Sequence, residues 1–328
     1  MKKYLYFILA FLLIIFSFII INKDKENNDK KKVVIAEVTH SIFYAPLYVA
    51  IENNYFKEEG INVELILTSG ADKVSAAVLS KDADIGFAGA ESAIYIYKGG
   101  EKDYLQIFSG LTKRDGQFIL GKTNNKDFKL DDLIGKEILV GRKGGMPALN
   151  FLNALKNENI DPKLININYQ IDFASLSGAF IGGTGDYVNL FEPNATNLSK
   201  NNEGYILTSI GKYSGEMPYT TFYARKSYIK NNKGIIKSFE KAIDKGLDYV
   251  NKHNSKDIAE VIAKQFPNAS INDLTLMIEN YKNADSWLDN SYISKESLDN
   301  LQNILIENKL INKKVNYDKL VLNFIHEK

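Results

Sequence analysis

Short apolar runs alternate with segments of helical period along most of this chain, beginning at Val33. Runs of apolar and β-branched residues predict strands, and apolar residues spaced three or four apart between them predict amphipathic helices. The predicted strands are 33–36, 60–67, 84–88, 105–109, 117–121, 136–140, 185–193, 205–208 and 218–224. From Ser227 onward the period is helical throughout. This regular succession predicts an α/β fold with mostly parallel strands.

A glycine-rich turn, Gly141 to Gly145, joins a predicted strand to a predicted helix that begins near Met146. Glycine lets the main chain approach a ligand closely, and the first helical turn has unpaired N–H groups. Pro147 suits this position, where its missing N–H is not needed. The turn therefore predicts a seat for an anionic or strongly polar group, although a plain strand-to-helix turn has the same pattern.

Two α/β units are predicted, because a second succession of strands begins near Gln117 and the chain returns near 217–224. Two crossings would leave a cleft between two lobes, and ligands in such sheets bind beyond the carboxyl ends of strands. The loops that follow predicted strands are 39–44, 89–92, 112–116, 142–146 and 192. The predicted division is an anchor and tether at 1–32, lobe 1 at 33–115, lobe 2 at 116–218, and a return to lobe 1 with C-terminal helices at 219–328.

The N-terminus carries an apolar run from Tyr4 to Ile21 with one Ser and no charged residue. Its length approaches that of a membrane-spanning helix, and no small-x-small cleavage pattern follows it. We therefore expect an uncleaved signal anchor, with cleavage at an unrecognised site as the alternative. The lysines between 23 and 32 outnumber those before the run, so the positive-inside rule opposes export. We still expect the folded part on the extracytoplasmic face of the cell membrane, because a hydrophobic segment at the start of a chain is typical of an export signal.

The composition excludes several classes of function. With no Cys, the chain forms no disulfide, thiolate metal site, Cys nucleophile or lipoprotein anchor. A formal net charge of +1 argues against nucleic-acid binding. The His residues match no His-Glu-x-x-His spacing, and no Gly-x-Ser-x-Gly elbow occurs. We therefore expect no catalysis, cofactor or metal.

Several motifs stand in a characteristic order, at 39–44, 48–50, 55–61, 83–86, 89–93, 141–147, 182–187 and 190–193. They resemble the solute-binding proteins of ABC importers, in the group that takes up sulfonates, taurine, nitrate and thiamine-pyrimidine precursors. The resemblance covers roughly residues 33 to 286. It implies a two-lobed periplasmic-binding-protein-like fold of type II, a monomer that closes on a small-molecule ligand and docks to the permease transmembrane subunits. This chain differs from the family pattern in having no lipoprotein cysteine. The difference concerns the usual membrane anchor and not the binding role.

The resemblance implies ligand loops at Thr39–Tyr44, Gly89–Ser92, Gly144–Met146 and Glu192. The candidate ligand-binding residues are Thr39, His40, Ser41, Phe43, Tyr44, Gly89, Ala90, Glu91, Ser92, Arg114, Arg142, Gly144, Gly145, Met146, Thr184, Tyr187, Glu192 and Tyr219. Several have structural alternatives: the histidine as a core residue, Glu91 as a helix cap, the arginines as surface charges and the aromatic residues as core.

Aromatic residues are expected at the edges of the cleft, namely Phe43, Tyr44, Tyr187, Phe191 and Tyr219. Such walls favour planar ligands through stacking. We therefore expect a polar heteroaromatic nutrient similar to a thiamine-pyrimidine precursor, with taurine, an aliphatic sulfonate or nitrate as the alternative. A pyrimidine-synthase-like enzyme is less favoured, because those enzymes carry a cysteine-rich motif. A membrane-tethered sensor would need a partner chain for its output.

Overall fold

The computed structural model describes residues 31–68 and 70–326. Its strands are β1 (Lys31–Glu37), β2 (Ile61–Leu67), β3 (Ile85–Gly89), β4 (Leu105–Thr112), β5 (Phe118–Gly121), β6 (Glu137–Leu139), β7 (Asn166–Asn168), β8 (Tyr187–Leu190), β9 (Tyr205–Ser209) and β10 (Thr220–Arg225). Its helices are α1 (Ala45–Glu52), α2 (Tyr55–Glu58), α3 (Ala71–Ser80), α4 (Glu91–Lys98), α5 (Met146–Asn157), α6 (Leu176–Ile181), α7 (Asn194–Lys200), α8 (Gly211–Ser214), α9 (Lys226–Asn231), α10 (Lys233–Lys252), α11 (Ser255–Ile262), α12 (Ile271–Asn283), α13 (Lys295–Glu307) and α14 (Tyr317–Leu320). The predicted anchor lies outside the described residues, and no helix within them has the length and apolarity to cross a membrane.

Within the described residues the strands form two five-stranded sheets, with the orders β2-β1-β3-β10-β4 and β7-β6-β8-β5-β9. We call residues 31–112 and 220–326, built on the first sheet, lobe 1, and residues 118–209, built on the second, lobe 2. In each sheet the strand that follows a crossing, β5 or β10, is antiparallel to both neighbours. The expectation of mostly parallel strands is therefore wrong in this respect: each sheet is mixed, because the crossing chain enters it from the cleft edge.

The core of lobe 1 is organised around the long helix α10. Its buried residues include Phe239, Ile243 and Leu247, which recur at helical spacing on one face. A Cβ at Gly246 would lie 2.2 Å from the carbonyl oxygen of Pro46 at the start of α1. Glycine therefore lets the two helices approach each other closely, and this contact fixes the segment that leads from β1 into α1.

Two crossings connect the lobes, at residues 113–117 and 210–219. The N–H of Met217 donates to the carbonyl of Lys113 (2.9 Å), and the N–H of Tyr219 donates to the carbonyl of Thr112 (3.1 Å). The crossings therefore run side by side and extend the antiparallel pairing of β4 with β10 toward the cleft. Side chains on this paired connection can reach a molecule held between the lobes.

Candidate functional site

The loop after β1 brings an aromatic ring to the boundary between the lobes. Ser41 accepts the N–H of Phe43 at 3.3 Å and starts a short helical turn. The ring of Phe43 lies 5.4 Å from that of Phe191 in lobe 2, and 5.1 Å and 5.7 Å from the rings of Tyr281 and Tyr219. These rings join the two lobes and supply flat apolar surfaces at their boundary.

Glu192 follows β8 and contacts both lobes. Its carboxylate accepts the N–H and the hydroxyl of Thr196 in the first turn of α7, each at 2.8 Å, and the side-chain N–H of Asn280 at 2.9 Å. Its own N–H donates to the Tyr281 hydroxyl (2.9 Å), and its carbonyl accepts the Ser41 hydroxyl (2.7 Å). Burial raises the pKa of Glu192, and hydrogen bonds from Thr196 and Asn280 oppose that rise. Both carboxylate oxygens are occupied by protein donors.

Glu91 begins α4, and its carboxyl group faces the first turn of α5 in the other lobe. The residue is 1% exposed, and its Oε2 has no hydrogen-bond partner among the described residues. Burial raises the pKa of Glu91 to about 7. The charge of Arg142 and hydrogen bonds from the N–H groups of Glu91, Met146 and Ser92 act in the opposite direction and limit this rise. The carboxyl group therefore lies at the helix N-terminus where the glycine turn predicts a seat for an anion.

The loop after β3 and the glycine turn meet at close range. A Cβ at Gly89 would lie 2.0 Å from Oε2 of Glu91 and 2.5 Å from Cγ of Met146, so any side chain there would displace both groups. The hydroxyl of Tyr95 donates to the carbonyl of Gly144 at 3.0 Å. These contacts join α4 of lobe 1 to the start of α5 in lobe 2.

The first crossing carries a fully buried carboxyl group, Asp115. Its Oδ1 accepts the N–H of Gln117 at 2.6 Å, whereas Oδ2 has no well-formed hydrogen bond in the described part of the chain. Burial raises the pKa of Asp115 to about 8, and hydrogen bonding from Gln117 and Tyr219 acts in the opposite direction and limits this rise. The Tyr219 hydroxyl, on the second crossing, also lacks a well-formed partner in that part of the chain. Burial raises the pKa of Tyr219 well above its ordinary value, with further contributions from the charges of Asp115, Tyr44 and Glu91.

Two buried amide side chains lie near the same boundary. Gln117 and Asn189 are fully buried, and neither side-chain amide finds a partner for its N or O atom within the described chain. The pairing of Phe118 with Leu190 places Gln117 beside the end of β8 that carries Asn189. Each amide offers both a donor and an acceptor. Because buried polar atoms without partners cost free energy, their grouping here indicates a site for a polar molecule.

Residues 42–256 match the profile of the NMT1/THI5-like proteins. The chain belongs to this family. It is 41% identical over 305 residues to the protein YtlA of Bacillus subtilis (strain 168), an alignment that covers 93% of this chain and 91% of YtlA. The family expected from the motif order is thereby confirmed.

Two solved structures share the fold at low identity. The alkanesulfonate-binding protein SsuA from Xanthomonas axonopodis pv. citri, bound to MOPS, has a TM-score of 0.71 at 15% identity, covering 90% of this chain and 99% of SsuA. The periplasmic nitrate-binding protein NrtA from Synechocystis PCC 6803 has a TM-score of 0.65 at 15% identity, covering 89% and 86% of the two chains. This NMT1/THI5-like protein therefore has the periplasmic-binding-protein fold, as the resemblance implied.

His40 is held within lobe 1 by protein groups. Its Nδ1 lies 2.8 Å from the carboxylate of Glu37, and its Nε2 lies 2.9 Å from the carbonyl oxygen of Gln265. Burial alone would lower the pKa of His40, but the hydrogen bond and charge of Glu37 and the Gln265 carbonyl raise it overall. Both ring nitrogens are thus occupied, which favours the structural alternative for His40. Thr39 beside it is half-buried.

The two candidate arginines differ in their surroundings. Arg114 donates to Glu216 (2.7 Å) and Asp285 (3.2 Å), so its guanidinium pairs with exposed acids beside the crossings. Arg142 is exposed in the glycine turn, and its charge lowers the pKa of Glu91. Arg142 therefore acts on the buried carboxyl group, whereas Arg114 belongs to an ion-pair cluster on the surface.

The structure separates Thr184 and Tyr187 from the other candidates, and their expected position at the cleft requires a correction. Tyr187 begins β8, pairs with Gly121 at the far end of β5, and has its ring 5.7 Å from that of Phe128. Thr184 comes before the strand and donates its N–H to the carbonyl of Ala179. Their loop precedes β8 instead of following it, so they lie at the end of the strand away from the cleft.

The remaining candidates converge at the lobe boundary. They are Ser41, Phe43, Tyr44, Gly89, Ala90, Glu91, Ser92, Gly144, Gly145, Met146, Glu192 and Tyr219. The sequence prediction does not name Asp115, Gln117, Asn189 or Asn280 as site residues. Asn189 carries a usable signal, because a polar residue inside an apolar run needs a specific partner. Asp115 lies within a predicted crossing, and Asn280 gives no signal in its helical period.

A cavity of about 430 Å³ opens beside the aromatic rings, between β9 and the end of α12. Its lining includes Arg114, Phe118, Ser209, Asn280 and Asp285. Phe118 also lies 5.7 Å from the ring of Tyr281, so the cavity adjoins the boundary between the lobes. Small-molecule sites usually have volumes of about 300–1,000 Å³, so the volume of this cavity lies within that range, although Asp115 and Tyr219 are not among its lining residues.

Proposed function

We propose that this protein is the extracytoplasmic solute-binding component of an ABC importer. It captures a small molecule between its lobes, without catalysis, and delivers it to the permease. This function is supported above all by buried polar side chains near the lobe boundary, each with at least one polar atom that has no well-formed hydrogen bond within the described chain: Glu91, Asp115, Gln117, Asn189 and Tyr219. Membership of the family and the fold shared with SsuA and NrtA support this function. The paired crossings are suited to serve as the hinge for closure.

The ligand that we propose is small, planar and polar, of the heteroaromatic class to which thiamine-pyrimidine precursors belong. The rings of Phe43, Phe191 and Tyr219 favour a flat molecule. Glu91 and Asp115 are buried acids, so a sulfonate or nitrate beside them would meet like charge whenever either acid is ionised. Taurine, alkanesulfonates and nitrate are therefore less favoured as ligands than an uncharged or basic heterocycle.

Residues 1–30 would hold the binding domain at the membrane, because the predicted tether to 32 ends where β1 begins at Lys31. The apolar run from Tyr4 to Ile21 and the polar segment after it support an anchor with a tether. The proposed division keeps lobe 1 on the first sheet, at 31–112 and 220–326, and lobe 2 on the second, at 118–209, with the crossings at 113–117 and 210–219 between them. The protein would act as a monomer that presents both lobes to the transmembrane subunits of its permease.

A thermal-shift panel on the full-length protein in detergent micelles tests this function. The panel contains the thiamine pyrimidine (an aminopyrimidine with a hydroxymethyl group), thiamine, taurine, an alkanesulfonate and nitrate. We expect the aminopyrimidine to raise Tm, because a ligand at 100 times its Kd stabilises the folded state by about 2.7 kcal/mol. A shift with sulfonate or nitrate alone would contradict the ligand class. No shift with any compound, together with no small molecule retained in native mass spectrometry, would contradict solute binding.

A further inference from the structure

We propose that Asp115, with the Tyr219 hydroxyl beside it, is the subsite that recognises a basic nitrogen of the ligand. The preferred ligands are then amino-substituted, amidine-like heterocycles, and neutral oxo heterocycles and anions bind less tightly. This inference rests on the proposed solute-binding function and narrows its ligand class. It assigns a specificity role to a side chain on the hinge itself.

The carboxyl group of Asp115 is held in a fixed orientation. Its Oδ1 accepts the N–H of Gln117 two residues later, at 2.6 Å. The main chain behind it is packed as well, because a Cβ at Gly211 would lie 2.5 Å from the Asp115 carbonyl oxygen. The second crossing is tied to the first through Met217 and Lys113. Oδ2 is therefore a preorganised group, and preorganisation reduces the entropic cost of binding.

The neighbouring hydroxyl completes the subsite. Tyr219 hydrogen-bonding lowers the pKa of Asp115, and the charge of Asp115 raises the pKa of Tyr219, so the two groups lie close together. Even so, Asp115 Oδ2 and the Tyr219 hydroxyl each lack a well-formed partner among residues that the structure describes. The Tyr219 ring packs edge-on against Phe43 at 5.7 Å. A flat molecule bordered by these rings would present its edge to the carboxyl group.

The charges around Asp115 favour a basic partner. The cations next to it in sequence pair elsewhere: Lys113 lies 2.8 Å from Asp285, and Arg114 lies 2.7 Å from Glu216. Burial is the main cause of the pKa of about 8 at Asp115, and no cation among the causes offsets it. A ligand nitrogen that takes the proton would supply the missing positive charge. Charge-assisted hydrogen bonds are roughly twice as strong as neutral ones.

Calorimetric titration of the full-length protein with two matched pyrimidines tests this subsite. One is the thiamine pyrimidine, and the other is its oxo counterpart, which has a carbonyl in place of the amino group and whose ring nitrogens are much less basic. The variants are Asp115→Asn, which keeps the shape but not the charge, and Tyr219→Phe, which removes only the hydroxyl. The control is Asp161→Asn, because Asp161 is exposed and accepts the N–H of Lys163 two residues later, as Asp115 does with Gln117.

We expect the wild type to prefer the amino compound by about tenfold or more, which corresponds to about 1.4 kcal/mol. Asp115→Asn should weaken the amino compound by about tenfold and leave the oxo compound within about threefold. Tyr219→Phe should reduce the preference less, and Asp161→Asn should leave both affinities unchanged.

Equal loss of both ligands in Asp115→Asn, or no loss of either, would overturn the basic-nitrogen subsite and leave solute binding in place. If the wild type binds neither pyrimidine but retains another ligand in native mass spectrometry, this inference fails and the binding function stands. If it binds neither and retains nothing, the proposed function fails as well.

Discussion

Two buried acids at the lobe boundary, Glu192 and Asp115, differ in what surrounds their carboxyl oxygens. Both side chains are almost completely excluded from solvent, at 1% and 0% exposure. Both oxygens of Glu192 accept hydrogen bonds, from Thr196 and Asn280. Oδ1 of Asp115 accepts the N–H of Gln117, whereas Oδ2 has no well-formed hydrogen bond within the described residues, with only the Tyr219 hydroxyl nearby. Glu192 therefore connects the two lobes, and Asp115 is the acid that we propose to contact the ligand.

The difference teaches how one interface can divide two tasks. Around Glu192, donors and acceptors from lobe 1 meet lobe 2 directly through Ser41, Asn280 and Tyr281. Around Asp115, the polar atoms are equally buried, but Oδ2 and the Tyr219 hydroxyl have no well-formed hydrogen bond within the described residues. Burial alone does not separate these roles, because buried polar atoms are normally hydrogen-bonded in either case. The number of carboxyl oxygens that accept a hydrogen bond from the protein distinguishes the two roles.

The strongest test of this contrast is a pair of substitutions measured by urea denaturation. Glu192→Ala leaves buried donors of Thr196 and Asn280 without an acceptor, so we expect a loss of about 3–4 kcal/mol in the free energy of unfolding. Asp115→Asn removes no occupied acceptor oxygen, because its amide oxygen still accepts from Gln117. Its unfolding free energy should fall by no more than about 1 kcal/mol below that of wild type. A larger loss in Asp115→Asn than in Glu192→Ala would reverse the assignment of roles.

The pH dependence of stability tests the buried acids next. Burial raises the pKa of Glu91 from 4.5 to about 7 and that of Asp115 from 3.8 to about 8, so the folded state binds these protons more tightly than the unfolded chain. Stability is therefore lost as pH rises from the ordinary carboxyl range through these raised values. Between pH 6 and pH 8 we expect the ligand-free protein to lose about 3 kcal/mol, measured by denaturation at each pH.

Two variants separate these acids from other titrating groups. Glu91→Gln and Asp115→Asn should each flatten the pH dependence. The raised pKa values of Glu192 and His40 act in the same direction, and they remain in both variants. A wild-type protein that is more stable at pH 8 than at pH 6 would refute the account of Glu91 and Asp115.

A smaller effect is expected at Gly89, where the loop after β3 meets the start of α5. Gly89→Ala places a methyl group 2.0 Å from Oε2 of Glu91 and 2.5 Å from Cγ of Met146, so both must shift. We expect a loss of about 2 kcal/mol and a larger radius of gyration by small-angle X-ray scattering, because the contact joins the lobes. Gly178→Ala, in α6 with open space around the added Cβ, should cost nothing. An unchanged radius and stability in Gly89→Ala would contradict a role for this contact in holding the lobes together.

The smallest effect is expected at Ser41. Its hydroxyl donates to the Glu192 carbonyl across the lobe boundary at 2.7 Å. Ser41→Ala removes this bond and the acceptor for the Phe43 N–H, so we expect a loss of about 1 kcal/mol in unfolding free energy. Ser297→Ala in α13 is the control. The Ser297 hydroxyl donates to the carbonyl of Ser294 at the N-terminus of the same helix, so this substitution leaves the lobe boundary intact. A stability equal to that of wild type in Ser41→Ala would show that this bond does not hold the lobes together.

Much of the fold is predictable from local patterns. The alternation of strands and helices from Val33 follows from apolar periodicity, and the family follows from the order of the motifs. The antiparallel direction of β5 and β10 is not predictable in this way, because strand direction depends on where the crossing chain enters each sheet. Periodicity reports which face of an element is buried and not which way its neighbour runs.

The site is predictable where a loop follows a strand and is missed where the signal is tertiary. The pattern places the turns at 89–92 and 142–146 near one another, and Gly89 and Met146 do come together. It misplaces Thr184, because that glycine-rich loop looks like a ligand loop although it precedes β8. It misses Asp115, because an acid in a polar segment gives no sign of burial until both crossings pack around it.

A crystal structure of the full-length protein with the thiamine pyrimidine tests the central claim most directly. The account predicts the ligand between the lobes, with a ring or amino nitrogen within about 3.2 Å of Oδ2 of Asp115. It also predicts that Glu192 keeps its hydrogen bonds to Thr196 and Asn280. A ligand bound in the cavity beside Arg114 and Asp285, with no atom within hydrogen-bonding distance of Asp115, would contradict it.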